Sequence, residues 1–264
     1  MTSKKVFSAQ MVCSLFFVFM FAFCLPLNAA DRYPEWFIYP QKYDGIVVGY
    51  NYYGLSALED AAYMYYAYRD CIVKGHLEIF DVPGKHNILK NSNYYYWFSD
   101  DAVAGLQQHL IKLDDYTFDI ITGDHIAAFA TDSSVLVSDS VLHRNDLPRP
   151  EWVDRFYFKN GDYHYGVGMY TAAGRENDGW KTAEEQGIFT ILNNLAVKVH
   201  RLLMVNNDCD VLIQHSVQDI LFVELYYHLQ NIEIVERYPD AENDLYYALV
   251  RIPDNSIYSP MLKD

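Results

Sequence analysis

Four short stretches decide the fold: PEWF at positions 34–37 and IVVGY at 46–50, then PEWV at 150–153 and YGVGM at 165–169. In both halves of the chain, a Pro-Glu-Trp entry precedes an apolar, glycine-containing run that is typical of a strand. Because the order is the same twice, the sequence predicts one structural unit present in two copies.

A helix is predicted after each of these strands. Ser56–Glu59 and Thr182–Glu185 both match the capping-box pattern Ser/Thr-x-x-Glu. An apolar stripe with spacings of three and four residues extends the second helix through Ile188, Ile191, Leu192, Leu195, Val199 and Leu202. Its predicted counterpart in the first half consists of Ala61, Ala62, Tyr65, Tyr68 and Ile72.

Each half is then predicted to continue with a short helical segment and an antiparallel hairpin. The short segments contain Gln108–Leu110 and Tyr227–Leu229, which place His109 and His228 at equivalent positions. Alternation with a period of two predicts the hairpin strands at 116–121, 125–130, 232–237 and 245–252, and the last turn at Asp240–Asp244.

The sequence therefore predicts an α+β fold with two tandem copies of a small domain. Each copy has a long helix and a short helix packed on a mainly antiparallel sheet. The predicted boundaries are a signal peptide at 1–29, a first domain at 32–140, a linker at 141–149, a second domain at 150–255 and a C-terminal tail at 256–264. Two packed copies would cover sheet edges that each leaves open.

The N-terminus has the layout of a secretory signal peptide. Lys4 and Lys5 precede an apolar run from Met11 to Leu25, and the small residues Ala29 and Ala30 follow. We expect cleavage after Ala29, with an uncleaved anchor as the alternative. The mature chain is expected to reside in the periplasm, to associate with the outer membrane as a further option, and to have no stable membrane span.

The four cysteines divide into two groups. Cys24 follows the bulky Phe23, so acylation and a lipid anchor are not expected. Cys71 and Cys209 remain after cleavage, and an oxidising compartment permits a disulfide between them. Burial as two small apolar side chains explains them equally well.

The charge balance argues against polyanionic partners. The chain has 20 basic and 35 acidic side chains, a formal net charge of −15, and the predicted signal peptide removes only basic ones. Nucleic acid and anionic membrane surfaces would be repelled. Apolar residues make up 51% of the chain, which is enough for a packed core.

The Pro-Glu-Trp entry, the Val-Gly strand, the Ser/Thr-x-x-Glu helix start and the terminal strand 246–252 together resemble the bacterial LPP-twenty lipoprotein family. The domain of that family also forms the N-terminal part of flagellar assembly protein T. The resemblance covers Arg149 to Pro253 and, more loosely, Arg32 to Thr131. It implies a cell-envelope protein that acts in surface or appendage assembly without a catalytic centre.

No pattern in the sequence indicates catalysis, a cofactor or a metal. The carboxylate pairs Asp100-Asp101, Asp114-Asp115 and Glu184-Glu185 are expected at helix starts and turns, where negative charge is favoured locally. The histidines lack zinc-site spacing, and no nucleophile elbow, Walker loop or dinucleotide fingerprint occurs. We therefore predict no enzyme, with an unrecognised hydrolase as a remote alternative.

Tyrosine clusters suggest a contact surface. Adjacent tyrosines on a helix cannot all face the core, so an exposed aromatic surface is predicted from Tyr63, Tyr66, Tyr94, Tyr95 and Tyr96. The predicted function is protein contact with other envelope proteins, with Trp36 and Trp152 as structural anchors. The alternative is a periplasmic protein that binds a glycan or small ligand through the aromatic surface.

Overall fold

The computed structural model describes residues 30–51, 54–82, 85–96, 100–119, 122–171, 175–206 and 220–258. The predicted signal peptide, Cys209 and most of the predicted tail lie outside these ranges. The helices are α1 (Glu35–Ile38), α2 (Ala57–Arg69), α3 (Asp100–Gln107) and α4 (Glu176–Asn206). The strands are β1 (Arg32–Pro34), β2 (Ile46–Tyr50), β3 (Asp70–Val82), β4 (Lys85–Tyr96), β5 (Ile111–Asp119), β6 (Asp124–Ala130), β7 (Val141–His143), β8 (Tyr157–Asn160), β9 (Tyr163–Thr171), β10 (Ile220–Gln230), β11 (Glu233–Asp240), β12 (Leu245–Pro253) and β13 (Ile257–Tyr258).

The predicted α+β class is confirmed. One sheet has the strand order β2-β6-β5 with α2 packed on it, and a second has the order β8-β9-β12-β11 with α4 packed on it. The pairing within both sheets is antiparallel. The predicted hairpins are confirmed as β5-β6 and β11-β12, and the turn between β11 and β12 includes Asp244 at φ 51°.

One strand of each of these two sheets meets the helix packed on it at a glycine. Gly49 on β2 pairs with Ala127, and Gly168 on β9 pairs with Ala248. A Cβ atom on Gly49 would lie 1.8 Å from the carbonyl oxygen of Ala57, and one on Gly168 would lie 1.8 Å from that of Ala183. Both glycines therefore allow a helix backbone to approach the strand more closely than any side chain permits.

A further sheet joins the two halves of the chain. Its order is β13-β10-β3-β4, and β10 pairs with β3 from Ile220 opposite Phe80 to Gln230 opposite Asp70. The predicted short helix at Tyr227–Leu229 is therefore wrong, as is the placement of Ile72 on a helix, because both lie in this pair. A distant strand supplies the hydrogen-bonding partner, which short-range patterns do not reveal.

The two predicted helix starts have different outcomes. The Ser56 capping box is confirmed, since the Ser56 hydroxyl accepts from the Glu59 N–H and the Glu59 carboxylate accepts from the Ser56 N–H. The Thr182 capping box is wrong, because α4 begins six residues earlier at Glu176. Asp124 on β6 caps that start by accepting from the Glu176 N–H at 3.0 Å.

The largest core cluster contains residues of both halves. Tyr33, Trp36, Phe37, Tyr50 and Ile126 pack in one cluster with Trp180, Ala183, Tyr246 and Ala248. Trp36, Trp180 and Tyr33 have no exposed surface. The two halves thus share their main apolar core rather than each having a separate one. Among the described residues, no helix combines the length and apolar character needed to cross a membrane.

Each Pro-Glu-Trp entry places an indole against a carboxylate on a strand. The Trp36 Nε1–H donates to Asp114 on β5 at 2.8 Å, and the Trp152 Nε1–H donates to Glu236 on β11 at 2.9 Å. Both acceptors directly follow a β-bulge, at Lys112/Asp114 and at Ile234/Glu236. Asp114 was expected in a turn after a helix and lies instead inside β5.

Replacement of Trp152 by phenylalanine is expected to lower the free energy of unfolding by about 1–3 kcal/mol, because a part-buried carboxylate loses a donor. Chemical denaturation of Trp152→Phe, Glu236→Leu and the double variant measures this. The loss of stability in the double variant should be smaller than the sum of the two single losses, since removal of both partners leaves neither group unsatisfied. Strictly additive losses would contradict the bond.

Candidate functional site

A cleft of ≈ 370 Å³ lies between the β2-β6-β5 sheet and the β8-β9-β12-β11 sheet. One wall is the start of β2 with the loop before it, and the opposite wall is the start of β11 with the adjacent part of β12. Side chains of both halves line it: Tyr43, Asp44, Ile46, Val47, Val48 and Tyr68 from the first, and Glu184, Ile232, Glu233, Ile234, Arg237 and Arg251 from the second.

The inner end of the cleft is closed by a buried ion pair. Glu184 on α4 and Arg237 on β11 are each 2% exposed, and an Arg237 Nη lies 2.6 Å from the Glu184 carboxylate. The same carboxylate accepts from Arg237 Nε at 2.8 Å, from the Tyr50 hydroxyl at 2.5 Å and from the Tyr68 hydroxyl at 2.8 Å. Arg237 also donates to the carbonyl of Phe37 at 2.5 Å.

A second buried pair lies beside the first. Lys181 on α4 is 2.8 Å from Asp60 on α2, and the exposed fractions of the two side chains are 6% and 5%. Asp60 also accepts from the Tyr50 N–H at 2.8 Å. Tyr50 therefore contacts both acids, its hydroxyl on Glu184 and its backbone on Asp60. These contacts join α2 and β2 of the first half to α4 of the second.

The surroundings shift the pKa values of the two acids in opposite directions. Burial alone raises the pKa of Glu184, but Arg237, Lys181 and the tyrosine hydroxyls together hold it below its usual value. Burial also raises the pKa of Asp60, and Lys181 offsets only part of that increase. Glu184 is thus a stable carboxylate with four donors, which does not suit a general base.

The mouth of the cleft carries a more exposed ion pair. Glu233 on β11 lies 2.5 Å from Arg251 on β12, with 43% and 27% of the side chains exposed. The Arg251 guanidinium also lies 4.7 Å from the ring centre of Tyr163 on β9. Gln41 and Asp44 on the opposite wall are exposed. An incoming group would meet these polar side chains first.

Of the residues predicted as an aromatic surface, Tyr63 and Tyr66 do not line the cleft. Tyr63 and Tyr66 are half-buried on α2, and the Tyr66 hydroxyl donates to the carbonyl of Ala102 on α3 at 3.4 Å. Tyr94, Tyr95 and Tyr96 belong to β4, opposite Val73, Ile72 and Cys71 of β3, and their side chains lie outside the part that the structure describes.

Other predicted residues are separated in the fold. His109 follows α3 and contacts the carbonyl of Gly105 at 2.8 Å, whereas His228 lies on β10 and contacts Asp70. The two histidines thus occupy different kinds of element. The described residues contain no group of three or more His, Cys, Asp or Glu side chains that could hold a metal ion.

The sequence predictions missed the role of Glu184 and did not consider Arg237. The signal that could have found Glu184 is its spacing, because it lies four residues before Ile188 on the apolar stripe of α4. An acid at a core position needs a buried partner. Comparisons of the chain with protein-family models, curated proteins and solved structures found no match.

Proposed function

We propose that this chain is an exported, non-catalytic cell-envelope protein that binds an extended segment of another envelope protein in the cleft between its two sheets. The signal-like N-terminus and the resemblance to the LPP-twenty family support export and a role in surface or appendage assembly. The periplasm is the proposed location, with outer-membrane association through the partner.

The observation that carries this proposal is the pair of edge strands along the cleft. β2 is bonded only to β6 within its sheet, and β11 only to β12. Ile46–Val48 and Ile232–Ile234 line the two sides. An edge strand directs alternate N–H and C=O groups away from its own sheet, and an extended peptide can pair with them.

The charges in the cleft support binding over catalysis. Glu184 already accepts from Arg237 and two tyrosines, and Glu233 is paired with Arg251. A catalytic acid–base pair needs one carboxyl group with a raised pKa and one free to take a proton. The pKa of Glu184 is held low, so its environment favours a structural role.

Tandem duplication of one unit is part of the same proposal. Its support is a set of matched details: the strand orders β2-β6-β5 and β9-β12-β11, the helix contacts of Gly49 and Gly168, and the indole–carboxylate bonds after equivalent bulges. Two fused copies leave β2 and β11 facing one cleft. The proposed binding site is thus a product of the duplication.

A glycan or small ligand is the second candidate for the same cleft. Its volume of ≈ 370 Å³ is within the range of small-molecule sites, and Arg251 and Tyr43 contribute polar and aromatic side chains to its lining. The two candidates differ in what contacts the cleft in the cell, a protein segment or a glycan or small molecule, and the following experiment separates them.

A photo-crosslinking residue at Gln41, on the wall of the cleft, is expected to capture an envelope protein in intact cells. The matched control carries the same residue at Glu242, an exposed turn position at the opposite end of β11. Mass spectrometry should find one partner peptide linked to position 41 and not to position 242. Equal capture at both positions, or a glycan or small molecule as the sole adduct at 41, would overturn the protein-contact proposal.

A further inference from the structure

A buried carboxylate lies beside the residue that follows the predicted cleavage site. Glu176, the first residue of α4, is 7% exposed, and Ala30 is 8% exposed. The Glu176 carboxylate accepts from the Ala30 backbone nitrogen at 2.7 Å, from the Tyr33 hydroxyl at 2.5 Å and from Trp180 Nε1 at 3.3 Å. In the unprocessed chain all three donors are electrically neutral.

This carboxylate lacks a direct cationic partner among the described residues. Burial raises the pKa of Glu176 and the three neutral donors offset only part of that rise. Arg144 contributes from a distance, since its guanidinium is bonded to the Asp240 carbonyl at 2.7 Å and lies 3.5 Å from Asp244. A buried carboxylate without an ion-pair partner is unfavourable, so the site suits an additional positive charge.

We propose that cleavage after Ala29 converts the Ala30 nitrogen into an ammonium group that forms a buried ion pair with Glu176. Export processing would then complete the contact between the N-terminal strand of the first half and the start of α4. The inference depends on the cleavage position predicted from the sequence, and it is independent of what binds in the cleft.

The chemistry is hydrolysis of one peptide bond by a signal peptidase. Water adds across the Ala29–Ala30 bond, so the carbonyl carbon leaves as the Ala29 carboxylate and the Ala30 nitrogen becomes a primary amine. At neutral pH this amine takes up a further proton and carries a positive charge. The same nitrogen that donated as an amide then donates as an ammonium group at the same acceptor.

The position of the cut matters because, within the described part of the chain, Ala30 supplies the backbone nitrogen that donates to the Glu176 carboxylate. The next residue, Asp31, uses its carbonyl to accept from the Arg144 N–H at 2.9 Å. Cleavage one bond earlier would place the ammonium group on Ala29, one residue before the nitrogen that contacts Glu176. Cleavage one bond later would remove the contact.

The first experiment determines the mature N-terminus and its effect on stability. The full chain is exported, and the mass of the purified product should correspond to a first residue Ala30. Two recombinant chains, released from a fusion to start at Ala30 or at Ala29, are then compared with this product by urea denaturation. The chain that starts at Ala30 should match the exported product and should have an unfolding equilibrium constant about ten- to a hundredfold smaller than the chain that starts at Ala29.

Glu176→Gln provides the control. The advantage of the Ala30 start should disappear or reverse in this variant, because a neutral amide no longer compensates the charge of the buried ammonium group. If Glu176→Gln does not fold, the reactivity of the Ala30 amine takes its place: acetic anhydride at neutral pH should acetylate it more slowly in the native protein than in urea. Equal stability of the two wild-type chains, or equal acetylation rates, would overturn the inference.

The pH dependence gives an independent check. An ammonium with a carboxylate partner has a raised pKa in the folded state, so the advantage of the Ala30 chain should be complete near neutral pH and should be lost as pH rises above ~8. It should also be lost in acid, where Glu176 takes up a proton. Among the described residues, the other charged or titratable groups near the site include Tyr33, Tyr116, Asp124, Arg144, Asp244 and Tyr246. They are present in both chains and cancel in the comparison. A difference that persists unchanged to pH 10 would exclude the ion pair.

Discussion

Replacement of Glu184 by alanine is expected to lower the free energy of unfolding by about 3–5 kcal/mol, because Arg237 would remain buried and uncompensated. The loss also leaves the hydroxyls of Tyr50 and Tyr68 without their acceptor. Since a typical domain has a total stability of about 5–15 kcal/mol, the variant should be only marginally folded. Urea denaturation followed by tryptophan fluorescence measures the effect.

Two further variants separate charge from packing. Glu242→Ala also removes one carboxylate, but from an exposed turn, and should change stability by less than about 0.5 kcal/mol. Glu184→Leu combined with Arg237→Met replaces the pair by apolar side chains and should recover most of the loss. A double variant as unstable as Glu184→Ala would mean that the site is maintained by something other than charge compensation.

The same pair gives a pH dependence with a definite sign. The pKa of Glu184 in the folded protein is lower than its usual value, so its stabilising contribution is present above the unfolded pKa of ~4.3 and is lost as pH falls below it. The stability difference between wild type and Glu184→Gln should therefore be constant near neutral pH and should narrow in acid. A difference that widens in acid would contradict the lowered pKa.

The parts of the fold that the sequence predicted are those fixed by near neighbours. Alternation and turn residues located the β5-β6 and β11-β12 hairpins, and the Ser56–Glu59 box located the start of α2. In each case the residues that form the hydrogen bonds are close in sequence. Local patterns are therefore sufficient for these elements.

The errors fall where one half of the chain completes the other. Asp124 in the first half caps α4 in the second, so the helix extends beyond the capping pattern at Thr182. Tyr227–Leu229 form a strand because β3 lies beside them. The Glu184–Arg237 pair links a helix to a strand 53 positions away, and no spacing rule connects them. Duplication predicts similar units, but it does not predict how the units bind each other.

Replacement of Gly168 by alanine is expected to lower the free energy of unfolding by about 3 kcal/mol or more, because the new Cβ would lie 1.8 Å from the Ala183 carbonyl oxygen and 2.4 Å from the Gly187 nitrogen. Both obstacles are backbone atoms, so β9 or α4 must move as a whole. Gly49→Ala should behave in the same way, since its Cβ would lie 1.8 Å from the Ala57 oxygen. Thermal and urea denaturation of the two variants measures the losses.

Two other glycines on helices provide the controls that test whether backbone contact is the cause. Gly105→Ala on α3 meets no atom within 4 Å and should stabilise the chain by up to about 1 kcal/mol through helix propensity. Gly187→Ala meets the Val250 side chain at 2.5 Å, and it should cost less than Gly168→Ala because a side chain can shift more readily than a backbone. If Gly49→Ala were harmless while Gly168→Ala was severe, the two strand–helix contacts would not be equivalent, and the proposed duplication would lose one of its matched details.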